Sequence, residues 1–310
     1  MKRKSILLLC ALMSFGAFAQ KSLVKDVEKA IGGMNPDVKT LKAACSDILP
    51  ALVNAETKDD AKTWLVAGKA NFGLFDSQQT KMMMKQPVDT MMMGDALIKG
   101  YEYFVKALPL DSVKEVDKKT GEYKLNKDGS IKIKTSKVSK EIANSLVTRH
   151  NDFSVMASLL YDSKHYKEAA KAWGIYAAIP YAGIVDRDKF AVPDTVIGQM
   201  EFYQGTASWQ AEDLKGAVAA FASARLHGYK AKEAYDYALS CAAGLQDNDA
   251  IVAIAAEAYE EFGNKDIQYM NILINDKLNK EKFDEAESLI NKALASNPNN
   301  PELINLQGLI

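Results

Sequence analysis

The sequence predicts an all-α chain built from repeated helix pairs, and three observations carry that prediction. Phe283-Asp284-Glu285-Ala286 opens a helix whose apolar positions run Ala286, Ile290, Ala293 before Pro298 stops it, a small, bulky, small spacing that lets one helix nest against another. Gly308 falls 34 positions after Ile274, the matching place on the preceding helix. Ala217 to Ala250 is 33 residues and Ala250 to Ala286 is 36, so the phase holds through the C-terminal half.

Residues 1–19 read as a secretory leader. Lys2, Arg3 and Lys4 are its basic start, Ile6 to Phe18 its apolar run and Ala17-Phe18-Ala19 its cleavage site, so the mature chain begins at Gln20. Processing at Cys10 as a lipoprotein is the rival reading. Leu7-Leu8-Leu9 lacks the small residues such processing prefers, and half the apolar run would stay behind. No later run of about 18 apolar residues exists, so no transmembrane segment is expected in the mature chain. The leader removes three of 39 Lys and Arg, leaving 36 against 40 Asp and Glu, and this mild acidity excludes nucleic acid as an electrostatically favoured partner. Cys45 and Cys241 lie about 200 residues apart in helical apolar settings and read as free buried thiols.

In order, residues 20–56 form a degenerate N-terminal helix pair. Leu23, Val24, Val27, Ala30 and Ile31 recur at helical spacing until Gly32-Gly33, Asn35-Pro36 restarts as N-cap and first helical residue, and Ala44, Ile48 and Ala51 repeat the small, bulky, small spacing. Residues 57–112 form the next pair, with Trp64 and Gly68 on its first helix and Gly100, Phe104 and Ala107 on its second. Between them, Leu74 to Gly94 reads as an insert holding Met82-Met83-Met84 and Met91-Met92-Met93. Thioethers can hold Cu(I), but no His or Cys accompanies the triplets in sequence, so Met is read as a pliable filler and neither metal nor cofactor is expected.

Residues 113–142 break the helical period. Tyr123 and Leu125 alternate with polar neighbours, as do Ile131 and Ile133, and Asn126-Lys127-Asp128-Gly129 lies between, which predicts a small inserted β-hairpin. From Lys114 to Lys140, nine Lys stand against Glu115, Asp117, Glu122 and Asp128. That surplus suits an acidic partner or lipid headgroups, while the commoner use of such Lys is to keep a strand edge soluble.

Residues 143–310 return to helix pairs, the last incomplete. Phe153, Met156, Ala157 and Leu160 face Tyr166, Ala169, Trp173 and Tyr176, with Pro180 closing the pair and a loop at Tyr181 to Thr195. Gly205, Ala217, Phe221 and Ala224 mark the following unit, and Ala238, Ala250 and Ile254 a looser one ending near Phe262-Gly263. Ile304, Leu306 and Leu309 belong to a first helix with no second helix after it, so continuation of the natural chain, or docking of this helix on another subunit, is expected. No G-x-S-x-G, H-E-x-x-H, Walker loop or C-x-x-C occurs, and His150, His165 and His227 are scattered and read as surface or helix-end residues. No enzymatic activity is expected.

A period near 34, small residues at the crossings and Pro after the second helix resemble the tetratricopeptide repeat, TPR. The layout, with its leader, degenerate first pair, Thr57 to Trp64 stretch, long insert and regular repeats, is similar to secreted multi-TPR proteins of Gram-negative envelopes. The resemblance implies a right-handed superhelical solenoid that is exported to the periplasm or outer envelope and binds a protein or peptide in the groove of its first helices. Carried over by phase, the groove positions are Asn151, Ser154, Ser158 and Tyr161, then Gln199, Phe202, Thr206 and Trp209, then Lys232 and Tyr235, then Gln268, Asn271 and Asn275. Amide side chains suit an extended peptide backbone and the aromatics its apolar side chains. Aromatic faces with Asn and Gln also suit sugars, so carbohydrate binding in nutrient uptake is the alternative.

Overall fold

The computed structural model describes residues 20–125, 129–134, 136–187, 190–263 and 267–308, and the leader expected over residues 1–19 lies outside them. The chain divides into two compact units, Met1–Ala191 and Val192–Ile310. Unit 1 contains α1 (20–31), α2 (Val38–Asp47), α3 (Leu49–Val53), α4 (Ala61–Met83), α5 (Thr90–Leu110), α6 (Lys137–Asp162) and α7 (Tyr166–Ala178), the last running into a 3-10 turn at Ile179–Tyr181. Unit 2 contains α8 (Asp194–Gln210), α9 (Leu214–Leu226), α10 (Lys232–Gly244), α11 (Asn248–Phe262), α12 (Ile267–Asn279), α13 (Phe283–Ser296) and α14 (Pro301–Gln307). In each unit a helix packs mainly on its sequence neighbours, which is the arrangement of a TPR-like all-α helical repeat.

What brings the paired helices together is the absence of a side chain. A Cβ on Gly68 of α4 would stand 2.3 Å from the Phe104 ring, and one on Gly100 of α5 would stand 2.5 Å from the Phe72 ring. The two glycines thus receive each other's phenylalanines, whose rings meet edge to face at 5.0 Å. Unit 2 repeats the device once, with Gly205 of α8 against the Phe221 ring of α9. The small, bulky, small stripes fill the remaining seams: Ala217, Phe221 and Ala224, and likewise Ala286, Ile290 and Ala293, are at most 1% exposed.

The turns share one geometry. Lys164, Glu212, Gln246 and Glu281 each sit in the middle of a three-residue turn at a φ between 56° and 64°. The residue after each donates its N–H five positions back, as Asp213 does to Ser208 and Asp247 to Ala242. Lys85 closes α4 in the same way. This pair of reversed bonds satisfies the last carbonyls of each first helix and fixes where its partner begins.

Several expectations need correction. Asn35 does not cap α2: it takes a φ of 54°, and the cap is Asp37, whose carboxylate accepts from the Thr40 N–H at 2.7 Å. Pro50 divides the second helix of that pair into α2 and α3. Leu74 to Gly94 is mostly helical rather than a loop, because α4 runs on to Met83 and α5 starts at Thr90. Met93 is core at 2% exposure, Met83 and Met84 face solvent, and Met91 and Met92 line a shallow pocket that also contains Cys45, a neighbour the sequence separates by more than forty residues. Burial pushes the Cys45 and Cys241 thiols up to about 11, and both are free.

The hairpin expected over residues 122–134 is not seen in that form. Strand β1 (Val113–Lys114) pairs antiparallel with β2 (Ile133–Lys134), and residues 122–125 join only through the isolated bridges Val116–Tyr123 and Leu125–Ile131. Most of the expected turn, residues 126–128, lies outside the described residues. The segment assigned to this insert also ends early, because Ser136 caps α6 and helix begins at Lys137.

The crossings predict their own test. Gly205→Ala drives a methyl into the Phe221 ring and is expected to cost about 1–3 kcal/mol, read as a lowered urea midpoint by Trp209 fluorescence, with Phe221→Leu in the same chain restoring most of the loss. At the turn, Gln246→Val is expected to destabilise by about 1–2 kcal/mol because its φ of 56° is left-handed, while Gln246→Gly is neutral or stabilising.

Candidate functional site

Unit 1 holds an open cleft of about 1000 Å³ between α1, the α1–α2 connection, α4 and α6. Lys69, Phe72, Gly73, Asp76, Ser77 and Thr80 of α4 line it, recurring every three or four residues and so forming one helical stripe. Ile31, Pro36, Val38 and Leu41 supply an apolar wall from α1 and α2, and Ser145 and Arg149 face them from α6. At Gly73 a Cβ would meet Leu41 Cδ2 at 3.0 Å, so the backbone of α4 itself approaches the cleft floor there.

Arg149 organises the polar side. Its Nη1 and Nη2 donate to the two Asp76 carboxylate oxygens at 2.5 and 2.6 Å, and the guanidinium lies 4.7 Å over the Phe72 ring. Behind the fork, Gln79 donates to Asp152 at 3.1 Å, and burial pushes the Asp152 carboxyl up. A planar, always-charged cation held by both a carboxylate and an aromatic face is a use that Lys cannot copy. Asp76 keeps 45% of its side chain exposed against 18% for Arg149, so the carboxylate is the open end of the pair.

His150 fixes the helix that carries Arg149. It is buried, contrary to the surface or helix-end position expected for it, whereas His165 precedes α7 and His227 caps α9. Its Nε2 donates to the Tyr176 carbonyl at 2.8 Å, its ring stacks on Tyr176 at 3.7 Å, and Phe190 meets it edge-on. Burial holds its pKa below the ordinary value.

Of the residues expected to form a groove, Asn151, Ser154, Ser158 and Tyr161 lie on α6 of unit 1 and the rest on α8, α10 and α12 of unit 2. Asn151 and Ser158 are exposed on α6 and Ser154 is half-buried, with the Ser158 hydroxyl donating to the Ser154 carbonyl; Tyr161 packs on Tyr166 and Trp173 of α7. None of these four lines the cleft. In unit 2, Phe202 stacks at 5.9 Å on Tyr237, which also meets Trp209 at 5.3 Å; Thr206 bonds back to the Phe202 carbonyl and Gln199 donates to the Tyr203 hydroxyl. Lys232, Gln268 and Tyr269 all donate to Asp236, each at 2.7 Å, beside a depression of about 470 Å³ lined by Asp236, Leu239, Ser240, Ala243, Ile251, Gln268 and Ile272. Asn271 donates to Glu302 at 3.3 Å and Asn275 is exposed. Tyr235 is a correction: at 1% exposure it is a core residue, edge-on to Phe262 and under the Arg225 guanidinium.

Sequence reasoning missed Phe72, Asp76 and Arg149. A signal was present: only four of the 39 Lys and Arg are Arg, and in a chain that otherwise uses Lys for solvation an Arg is a candidate for a place needing a fork. Arg225, 5% exposed, bears this out by binding Glu257 and the Ala234 carbonyl.

No protein-family model and no curated protein matches the chain. Among solved structures it is similar to Pseudomonas aeruginosa pilF, at 13% identity over 94% of this chain and 100% of that one, TM-score 0.30. It is also similar to the C-terminal part of a TPR repeat-containing protein from Cytophaga hutchinsonii, at 12% identity over 94% and 98%, TM-score 0.32. A third is the TPR2AB domain of yeast Sti1 in a pHSP90 complex, at 12% identity over 90% and 99%, TM-score 0.30. At such scores the helix pairs and their crossings, not the superpositions, define this chain as a TPR-like helical-repeat protein.

His150 yields a pH prediction. A base whose folded pKa is depressed binds fewer protons folded than unfolded, so stability is lost as pH falls below its unfolded value of 6.5. The unfolding midpoint of unit 1 is expected to drop between neutral pH and about pH 5, and His150→Gln is expected to flatten that slope. The capping carboxylates Asp37 and Asp111, whose pKa values are lowered, act only below their unfolded 3.8, whereas Asp152, whose carboxyl burial raises, contributes stability as pH falls and opposes the His150 slope.

Proposed function

We propose that the chain is a non-enzymatic scaffold of the cell envelope, exported through the leader at residues 1–19, that holds an extended peptide segment of a protein partner in the cleft of unit 1. The observation that carries this reading is the Arg149–Asp76 fork at the rim of an apolar-walled cleft. Ile31, Val38 and Leu41 accept an apolar side chain, Ser77, Thr80 and Ser145 place hydroxyls for a peptide backbone, and the half-exposed Asp76 takes an N–H or a cationic side chain. Binding on the first-helix side is thus kept, but it is carried by α4 and the N-terminal half of α6, not by Asn151 to Tyr161. A sugar would need a bare aromatic face; Phe72 is 2% exposed beneath a guanidinium, and the Phe202, Trp209 and Tyr237 rings are turned upon one another, which favours peptide over glycan.

Peptide display against the mature chain, followed by crosslinking from a benzoylphenylalanine placed at Ser77, at Ser145 or at Ser158, tests this. Selected peptides are expected to crosslink from Ser77 and Ser145 and not from Ser158, and Arg149→Met is expected to weaken them by roughly tenfold, the scale of one charge-assisted contact. Crosslinks from Ser158 alone, or selected glycans in place of peptides on parallel arrays, would overturn the assignment.

A further inference from the structure

The excursion between α5 and α6 is tied off at its base and presents an apolar face outward. Asp111, after α5, accepts hydrogen bonds from the Ser136 hydroxyl and from the Ser139 N–H and hydroxyl, the latter two at 2.9 and 2.6 Å. The end of one helix is thereby clamped to the start of the next, and residues 112–135 leave and return at one point.

Within the excursion, strand parity sorts the side chains. Lys114 lies in the β1–β2 ladder, Val116 opposes Tyr123, and Leu125 opposes Ile131. Because side chains alternate along each run, Lys114, Val116, Tyr123, Leu125 and Ile131 share one face. Glu115, Asp117, Glu122, Lys124 and Lys132 have the other parity, where Lys124 and Lys132 flank Glu115 at 3.8 and 3.4 Å. The polar side is therefore internally paired, while the apolar side is open: Val116, Tyr123 and Leu125 are 45%, 53% and 61% exposed, and Lys114 lies 5.2 Å over the Tyr123 ring. Among the described residues of the excursion no carboxylate has that parity. An apolar strand face normally turns inward to a core, and this one does not.

We propose that this face docks on an anionic lipid surface. Charge selects the occupant: among the described residues of 112–134, Lys114, Lys118, Lys119, Lys124, Lys132 and Lys134 stand against Glu115, Asp117 and Glu122, a surplus of three on a chain whose formal net charge is −1. Lys118 and Lys119 sit in the turn that Asp117 closes through the Lys119 N–H, at the edge of the apolar face. A tyrosine and short aliphatic side chains ringed by lysines match the headgroup boundary of a bilayer, where apolar groups enter shallowly and ammonium groups meet lipid phosphate. Among the described residues no helix is long and apolar enough to cross a membrane, so attachment through this face would be peripheral.

The test is flotation of the mature full chain with vesicles of phosphatidylcholine, with and without phosphatidylglycerol. Binding is expected only with phosphatidylglycerol, is expected to be reversed by high salt, and is expected to weaken roughly fivefold for each of Lys118→Gln and Lys119→Gln. Tyr123→Ser with Leu125→Ser is expected to abolish it while leaving the thermal midpoint of the helical units unchanged, since these residues lie outside the helix cores. Failure to float at low salt, equal binding to both vesicle types, or retention of binding in the Tyr123→Ser, Leu125→Ser chain would overturn the proposal. So would a concentration-dependent dimer abolished by the same double substitution, which would assign the face to a second copy.

Discussion

The close approach of paired helices at Gly68, Gly100 and Gly205 is the constraint on which the rest of each unit depends. A phenylalanine ring can enter the neighbouring helix surface only where there is no Cβ, and reciprocal entry at Gly68 and Gly100 fixes rotation and height of α4 and α5 together. Once those are fixed, the stripe of Lys69, Phe72, Gly73, Asp76, Ser77 and Thr80 is turned to the cleft, with Phe72 at its border with the side packed on α5. Phe72 has two neighbours: its edge meets Phe104, and Arg149 of α6 covers it. The residue that locks the pair is also the platform on which the cleft's cation rests, so the packing of α4 on α5 and the lining of the cleft share one side chain.

Much of this architecture was legible in the sequence. Ala286, Ile290 and Ala293, and Phe153 to Leu160, gave correct core faces because apolar periodicity is a direct record of burial. Helix ends were less legible where the signal was ambiguous. Asn35-Pro36 has the composition of a helix start, yet Asp37 one residue later is an equally good cap and leaves Asn35 free for the left-handed turn. The repeated turns were not read at all, since Lys164, Glu212, Gln246 and Glu281 replace the glycine that usually marks such a position. Their recurrence follows from hydrogen-bond geometry imposed by the pairing, not from their own preference.

The site was less legible than the fold for a physical reason. Groove positions carried over by phase assume that each first helix turns the same face inward. That assumption places Tyr235 in a groove, whereas the Arg225 guanidinium and Phe262 draw its ring into the core. It also takes α6 to begin near residue 143, whereas the helix begins at Lys137, and the α6 residues that reach the cleft, Ser145 and Arg149, precede the positions read as groove on that helix. The hydrogen bonds of Gln268 and Asn271, by contrast, are spent on Asp236 and Glu302. Amides chosen for their donor and acceptor capacity turn out to be partly occupied within the protein, and a ligand there would have to displace those bonds.

The insert between α5 and α6 shows why a helical repeat can carry a non-helical appendage without losing its pairing. Asp111 follows the last turn of α5 and supplies the anion that the first N–H groups of α6 require, so the two helices are joined electrostatically where the backbone leaves them apart. That carboxylate is held below its usual range because the Ser136 and Ser139 bonds outweigh the cost of its partial burial. The clamp is thus intact at any pH where the unit is folded and the carboxylate is ionised. Between its two ends the described chain carries Val116, Tyr123, Leu125 and Ile131 at one strand parity and Glu115, Asp117 and Glu122 at the other.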